Sequence, residues 1–260
     1  MNKKASVISV VNQKGGIGKT TTTINLCKAL QEKGFKTAII EMDPQGNAAT
    51  ALGFKNVEIT TKDVLIRICM EEEISLDYGI LHSTEEIDLL PATPELAGME
   101  YVLYELKEKG RTALKKYIKI METHYDYIFI DCPPFLGLLS ANALIAADSV
   151  IIPMLAEPLP TQGLQQLLKT ILEARKKSNP NLKIAGILFM NVDLRTANTL
   201  SIIEQIRAAY KNNIYVFKTL VPRRIAVSEA QGMGKSILTY EPKNDASKAF
   251  LELAEEIIHG

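Results

Sequence analysis

Short, continuous apolar runs rich in β-branched residues recur along the chain, and stretches of helical length separate them. The runs lie at residues 5–11, 37–42, 127–130, 150–155, 184–190 and 214–221. Strands that are apolar at every position, rather than at alternate ones, are expected to be covered on both faces. The pattern therefore predicts an α/β fold: a doubly wound, mostly parallel sheet with helices on both faces.

Amphipathic helical patterns fill most of the intervals between these runs. They lie at about residues 20–33, 94–108, 111–123, 161–177, 197–210 and 245–258. Residues 53–90 are the least regular part of the chain. Because the sequence has no glycine- and serine-rich linker, low-complexity segment or repeat, we expect one domain over residues 1–260.

Composition narrows the classes of function. Thirty basic and thirty acidic residues cancel, so any contact with nucleic acid must come from a local patch rather than from a global field. The three cysteines form no C-x-x-C pair and the chain has only three histidines, which argues against disulfides and structural zinc. No long apolar span or signal peptide is visible, so we expect a cytoplasmic protein.

The segment VVNQKGGIGKTTTTINL, residues 10–26, joins the first predicted strand to the first predicted helix. A glycine-rich turn there gathers backbone N–H groups and a helix N-terminus, which together attract phosphate. The end of the phosphate-loop pattern G-x-x-x-x-G-K-[ST] is present, but Gln13 replaces its first glycine. The segment reads K-G-G-x-G-K-T instead, the deviant Walker A pattern. Its expected nucleotide-binding residues are Lys14, Gly15, Gly16, Ile17, Gly18, Lys19, Thr20 and Thr21.

Side-chain chemistry predicts roles in such a site. The Lys19 ammonium is expected to reach the β- and γ-phosphates, and the Thr20 hydroxyl is a hard oxygen suited to Mg²⁺. Thr21 is the natural donor to the α-phosphate. The apolar run in YDYIFIDCPP ends in Asp131, in the form of a Walker B motif whose carboxylate holds Mg²⁺ directly or through water. ATP and Mg²⁺ are thus the expected cofactors.

A further acidic motif, IIEMDPQGNAAT, follows the second predicted strand and holds Glu41 and Asp43. Ligands of open α/β sheets bind at the carboxyl ends of strands. Asp43 is the better candidate for orienting the attacking water, because the turn after it would hold it over the phosphates; capping of the turn is the alternative. For the adenine, Asn191 and Asp193 follow a predicted strand and Pro222 could pack on the base, although Asn191 could simply turn the chain.

At these motifs the sequence resembles the ParA/Soj family of partition ATPases, within the wider group that includes MinD. The resemblance extends over nearly the whole chain. Matching segments include N-Q-K-G-G-I-G-K-T-T-T at 12–22, M-D-P-Q-G-N-A at 42–48, F-I-D-C-P-P at 129–134, V-P-R at 221–223 and S-E-A at 228–230.

The resemblance implies a mechanism. Two subunits of such ATPases bind ATP face to face, and Lys14 matches the signature lysine that reaches the partner's triphosphate. It also implies that Asp43 is the catalytic aspartate, alongside Lys14 and Lys19, and that hydrolysis is slow until a ParB-type partner stimulates it. A homodimer that assembles on ATP and falls apart after hydrolysis is therefore expected.

The resemblance also implies DNA binding without sequence preference. Arg195 and Arg223 match family arginines, and Arg224 is an additional basic residue. The family usually has Asp where Glu41 stands, and a basic residue where Ala226 stands. The expected location is therefore the cytoplasm, in association with the nucleoid.

Two other readings remain open. A MinD-like ATPase acts on a membrane, and related ATPases position protein cargo. A membrane-binding tail would be a basic amphipathic helix, whereas residues 249–260 carry three acids and no lysine or arginine. We therefore expect no stable association with a membrane. An iron–sulfur relative would need two well-placed cysteines in each subunit.

Overall fold

The computed structural model describes residues 4–157 and 161–260, and one sheet organises them. Its strands occur in the order β3-β4-β2-β5-β1-β6-β7-β8. They are β1 Ser6–Val10, β2 Thr37–Glu41, β3 Leu81–His82, β4 Asp88–Leu90, β5 Tyr127–Asp131, β6 Ser149–Leu155, β7 Lys183–Val192 and β8 Val216–Pro222. All pairings are parallel except that of β3 with β4. The predicted fold class is confirmed.

Each of the six predicted strands is present, with ends that differ by a few residues. The strands β3 and β4 were not predicted, and both lie in the irregular segment 53–90. They contain two and three residues, which is too short for a periodic pattern to be read. They extend the sheet beyond β2, so the last part of this segment belongs to the sheet.

Helices cover both faces of the sheet. They are α1 Lys19–Glu32, α2 Asn47–Ala51, α3 Thr61–Met70, α4 Met99–Glu105, α5 Lys107–Arg111, α6 Ala113–Met121, α7 Leu138–Ala146, α8 Thr161–Lys177, α9 Ala197–Tyr210, α10 Ile225–Gly232, α11 Ile237–Tyr240 and α12 Asp245–His259. The helix predicted over 94–108 is wrong as a single element. It divides into a 3₁₀ turn, Pro94–Gly98, followed by α4 and α5, and Lys107 at the second junction has a φ of 50°.

The sequence patterns do not predict five of the helices, namely α2, α3, α7, α10 and α11. The signal for α3 was present, because Thr60 and Asp63 form a capping box at its start. The α7 sequence, LLSANALIA, is apolar nearly all round and mostly buried, so it shows little amphipathic pattern. The other three helices are four to eight residues long and depend on tertiary contacts.

Two hydrophobic clusters occupy opposite faces of the sheet. Ile128 and Ile130 of β5 belong to one cluster, whereas Phe129 between them belongs to the other. This alternation follows from the two-residue period of a strand. Helices α3, α4, α6, α7, α8 and α9 contribute to the first cluster, and α1, α11 and α12 to the second. Within the described residues, no helix combines the length and hydropathy needed to span a bilayer.

Replacement of Phe250 by alanine is expected to destabilise the fold. Phe250 is fully buried in α12, which packs on β8 and α1. The cavity left behind should lower the free energy of unfolding by about 3–5 kcal/mol, measured by urea denaturation. Glu252→Ala on the exposed side of α12 is the matched control and should change it by no more than about 0.5 kcal/mol. Equal effects of the two substitutions would contradict this account of the core.

Candidate nucleotide-binding site

The phosphate loop lies between the end of β1 at Val10 and the start of α1 at Lys19. Gly16 and Gly18 have φ angles of 70° and 93°, a region that disfavours side chains. Gly18 is also the N-cap of α1 and offers no side-chain cap, so the first amides of that helix have no such acceptor. Asn12 ties the loop to β6, because its Nδ2 donates to the Pro153 carbonyl at 2.7 Å. This geometry provides an anion site at a helix N-terminus.

Lys19 is the buried cation of this loop, only 7% exposed. Its Nζ donates to the Lys14 carbonyl at 3.2 Å, within the same loop. Burial lowers the pKa of Lys19, while the carboxylates of Asp131 and Asp43 oppose that shift. Lys19 therefore contacts the loop and interacts electrostatically with Asp131 and Asp43.

Thr20 and Asp131 are in direct contact. The Thr20 hydroxyl donates to Asp131 Oδ2 at 2.7 Å, whereas the buried Oδ1 has no hydrogen-bond partner among the described residues. Burial raises the pKa of Asp131 to about 7, and the bond from Thr20 opposes this rise. A hydroxyl beside an unsatisfied carboxylate oxygen is a donor set that suits Mg²⁺. No group of three His, Cys, Asp or Glu side chains is placed to hold a metal in the described chain, so phosphate and water would supply the other ligands.

Asp43 and Glu41 have different surroundings although only one residue separates them. Asp43 lines the same cavity as the phosphate loop, and its Oδ1 accepts from the Gln45 amide at 3.0 Å. Glu41 is fully buried, and its carboxylate accepts from the amides of Ala48 at 2.6 Å and Ala92 at 2.9 Å. Burial raises the pKa of Glu41 to about 8. Asp43 is thus placed for chemistry in the cavity, whereas Glu41 is not.

The cavity has a volume of about 1110 Å³. This exceeds the range of roughly 300–1,000 Å³ common for small-molecule sites, so a nucleotide has room. Its walls include the phosphate loop, the turn at Asp43, Pro134 after β5, Asn191 and Asp193 after β7, and α10. The sequence-predicted phosphate and metal residues are therefore brought together at one end of the sheet.

The residues predicted for the adenine lie beside this cavity. Asn191 has a φ of 54° and both turns the chain and lines the cavity, so its two predicted roles are compatible. The Asp193 carboxylate is occupied by Arg195, and this contact lowers the pKa of Asp193 to about 2. Pro222 is buried at the end of β8 and lines a neighbouring pocket of about 340 Å³ together with Asp193.

The three arginines predicted to bind DNA cluster at the mouth of the cavity. Arg223 and Arg224 line it, and Arg195 lines the neighbouring pocket with Arg224. Arg195 Nε bonds Asp193 at 2.9 Å, and Arg224 bonds Asp245 at 2.7 Å. These two aspartates offset much of the positive charge of the cluster.

Lys14 lies at the rim rather than over the phosphate position of its own chain. Its Nζ is 2.6 Å from Glu157 Oε2, and both side chains are at least half exposed. Exposed pairs of this kind are worth at most about 1 kcal/mol. The side chain is therefore only weakly retained.

One contact of the loop was not foreseen from the sequence. Gln231 of α10 donates from Nε2 to the Thr21 hydroxyl oxygen at 3.0 Å. No local motif marks Gln231, because it reaches Thr21 only through the packing of α10 across the cavity. Both residues line the cavity, and because Thr21 Oγ1 is the acceptor in this bond, its hydroxyl hydrogen can still donate to a ligand.

Replacement of Gly18 by alanine is expected to strain the loop. An added Cβ would lie 2.9 Å from Met190 Cε, and the φ of 93° disfavours any side chain. The free energy of unfolding without nucleotide should fall by about 1–3 kcal/mol in urea denaturation. Gly15→Ala is the matched control, since its Cβ meets nothing within 4 Å and its φ lies outside the left-handed region. A Gly18→Ala protein as stable as this control would refute the steric argument.

Comparisons with known proteins agree with these motifs. A family model described as an AAA domain matches residues 5–184. The sporulation initiation inhibitor protein Soj of Bacillus subtilis is 38% identical over 251 residues, covering 96% of this chain and 97% of that protein. The chromosome partitioning protein ParA of Myxococcus xanthus is 39% identical over 256 residues, covering 97% of this chain and 87% of that protein.

Solved structures give the same result. The structure of cobyrinic acid a,c-diamide synthase from Mycobacterium smegmatis with bound ADP and magnesium has a TM-score of 0.84 and 30% identity, covering 98% of this chain and 94% of that one. A fold shared over almost the full length accompanies the full-length similarity to the partitioning proteins. The chain belongs to the Soj/ParA family of chromosome partitioning proteins, in the ParA/MinD superfamily of P-loop ATPases.

Proposed function

We propose that this chain is an ATP- and Mg²⁺-dependent partition ATPase that dimerises on ATP, binds DNA without sequence preference and is reset by hydrolysis. The observation that carries the proposal is the convergence of Lys19, Thr20 and Asp43 on one cavity, with Asp131 bonded to Thr20 behind it, in a chain related to Soj over 96% of its length. We infer that residues 1–260 act as one ATPase domain in the cytoplasm, on the nucleoid. A ParB-type partner is the proposed activator of hydrolysis.

The proposed chemistry uses the residues at the strand ends. The loop amides and Lys19 bind the phosphates, and Thr21 donates to the α-phosphate. Thr20 and Asp131 would hold Mg²⁺, which would neutralise phosphate charge. Asp43 orients the attacking water, because it reaches the cavity while its Oδ1 is fixed by the Gln45 amide. Asn191 and Asp193 are proposed to contact the base from the cavity wall, and Pro222 to pack on it from the neighbouring pocket.

Lys14 is proposed to act on the nucleotide of the partner subunit. Two triphosphates that approach each other repel strongly, and a cation supplied by each neighbour offsets that repulsion. The Lys14 side chain is more than half exposed and weakly held by Glu157, so releasing it costs little. Loss of the γ-phosphate would weaken this contact and separate the subunits.

DNA binding is proposed for Arg195, Arg223 and Arg224 at the cavity mouth. Because two aspartates offset part of this cluster, one subunit should bind DNA phosphates weakly. A dimer presents two such clusters at once, which makes retention depend steeply on ATP. This location beside the nucleotide is what links the two activities.

Lys14→Ala should separate dimerisation from nucleotide binding. With a non-hydrolysable ATP analogue, the variant should elute as a monomer from a sizing column, while its nucleotide affinity stays within about fivefold of the original. Lys19→Ala should lose nucleotide binding itself. Glu157→Gln removes the cis partner of Lys14 and should still dimerise. A Lys14→Ala protein that dimerises like the original would refute the role in trans.

Arg195→Glu should weaken DNA retention by about tenfold in the presence of ATP at low salt, and it should reduce the slope of affinity against salt. Arg175→Glu makes the same charge change on the exposed surface of α8 and serves as the control. Retention is measured by filter binding with ATP, ADP and an analogue over a salt series. Anionic vesicles run in parallel test the MinD-like alternative, and recruitment by vesicles instead of DNA would favour it.

A further inference from the structure

Glu41 is a buried carboxylate that joins three parts of the chain. It ends β2, its Oε1 accepts from the Ala48 amide in α2, and its Oε2 accepts from the Ala92 amide beyond β4. Its own carbonyl accepts from the Thr61 hydroxyl of α3 at 2.8 Å. A group with 0% exposure and both oxygens bonded to backbone amides is not available to a water molecule in the cavity. Glu41 is therefore not an alternative general base.

The Ala48 bond serves as the missing cap of α2. The N-cap residue of this helix is Gly46, which has no side chain to accept from the first amides. A side-chain oxygen of Glu41 can replace such a cap, because it accepts from a first-turn amide as an N-cap side chain does. Since α2 has only five residues, it has little stability of its own and depends on this contact.

The Ala92 bond fixes the same turn from the other side. Gly46 has a φ of 62°, and a Cβ added there would lie 2.8 Å from the Ala92 carbonyl oxygen. The Thr61 hydroxyl lies 3.1 Å from the Pro91 carbonyl oxygen, next to Ala92. The turn from Asp43 to Gly46 is thus closely packed against the segment that follows β4.

We propose that Glu41 is a positioning residue for hydrolysis: it clamps the turn from Asp43 to Gly46 between α2 and Ala92, and so fixes Asp43 at the phosphate loop. The inference rests on the proposed role of Asp43 in orienting water. Within that turn, Gly46 N donates to the Asp43 carbonyl at 3.2 Å and Gln45 N to its Oδ1 at 3.0 Å, so movement of α2 is transmitted to the carboxylate. A misplacement of about 1 Å can cost about a hundredfold in rate.

The test compares Glu41→Ala and Glu41→Gln in single-turnover ATP hydrolysis. The rate should fall at least about tenfold in Glu41→Ala, because its turn loses both acceptors. It should fall less in Glu41→Gln, whose amide oxygen still accepts one of the two bonds. The affinity for a fluorescent ATP analogue should stay within about threefold in both, since no phosphate contact is removed.

A background and a control separate positioning from general damage. In an Asp43→Ala protein, adding Glu41→Ala should cause no further loss of rate, because two residues that act as a unit are not additive. Glu256→Gln is the control, since Glu256 also accepts from two backbone amides, those of Lys218 and Thr219, but in α12. It should change thermal stability while leaving the rate of folded protein within about twofold.

Each outcome decides the matter. If folded Glu41 variants hydrolyse at the original rate while Asp43→Ala does not, the clamp is refuted and the proposed function stands. If Asp43→Ala itself hydrolyses normally, the proposed role of Asp43 fails, and the clamp with it. Should the Glu41 variants not fold, Gly46→Ala displaces the same turn from Ala92, because the added Cβ would lie 2.8 Å from the Ala92 carbonyl oxygen. It should slow hydrolysis by about threefold at unchanged affinity, and an unchanged rate would refute the clamp.

Discussion

The parallel register of three neighbouring strands is the constraint on which the site depends. Val10 of β1 is paired with Asp131 of β5, and Asp131 is paired with Glu41 of β2. The phosphate loop, the Asp131 carboxylate and the turn that carries Asp43 therefore leave the sheet from one level. Because parallel strands end at the same edge, short turns suffice to bring these groups together. A slip of one residue in this register would turn each of these side chains to the opposite face.

The formal net charge of the chain is zero, yet charged side chains are buried together at this edge of the sheet. Lys19, Asp43 and Asp131 are each at most 7% exposed, so their charges are only weakly screened by solvent. Burial raises the pKa of Asp131; the negative charge of Asp43 adds to this rise, and the positive charge of Lys19 opposes it. Such a cluster is a poor way to stabilise a fold, because the desolvation of charges is costly. Its arrangement is explained instead by a ligand that brings a metal cation and phosphate oxygens.

The cations at the rim of the cavity, unlike the buried charges, lie in exposed ion pairs. Lys14, Arg195 and Arg224 each pair with an acid of the same chain, and every partner is at least 42% exposed. Pairs in that environment contribute little and exchange readily. These cations are therefore only weakly held by their acids, as the proposed contacts with a second subunit and with DNA require. The buried charged groups are thus held in place by their surroundings, whereas the exposed ones can change partner.

The sequence by itself determined the fold class, the position of the phosphate loop and the choice of Asp131 as the acidic residue at the end of a strand beside that loop. Continuous apolar runs separated by helical stretches are compatible with few folds other than a sheet covered on both faces. The phosphate-loop motif is local, because its residues are adjacent in the chain as well as in space. Only the tertiary structure decided what Glu41 does, since its partners Ala48 and Ala92 come from α2 and from beyond β4. The same holds for the hydrogen bond from Gln231 to Thr21 and for the salt bridge between Lys14 and Glu157. Apart from the bond to Ala48, seven residues on, each is a contact between segments far apart in sequence, where no periodic pattern or spacing records which donor meets which acceptor.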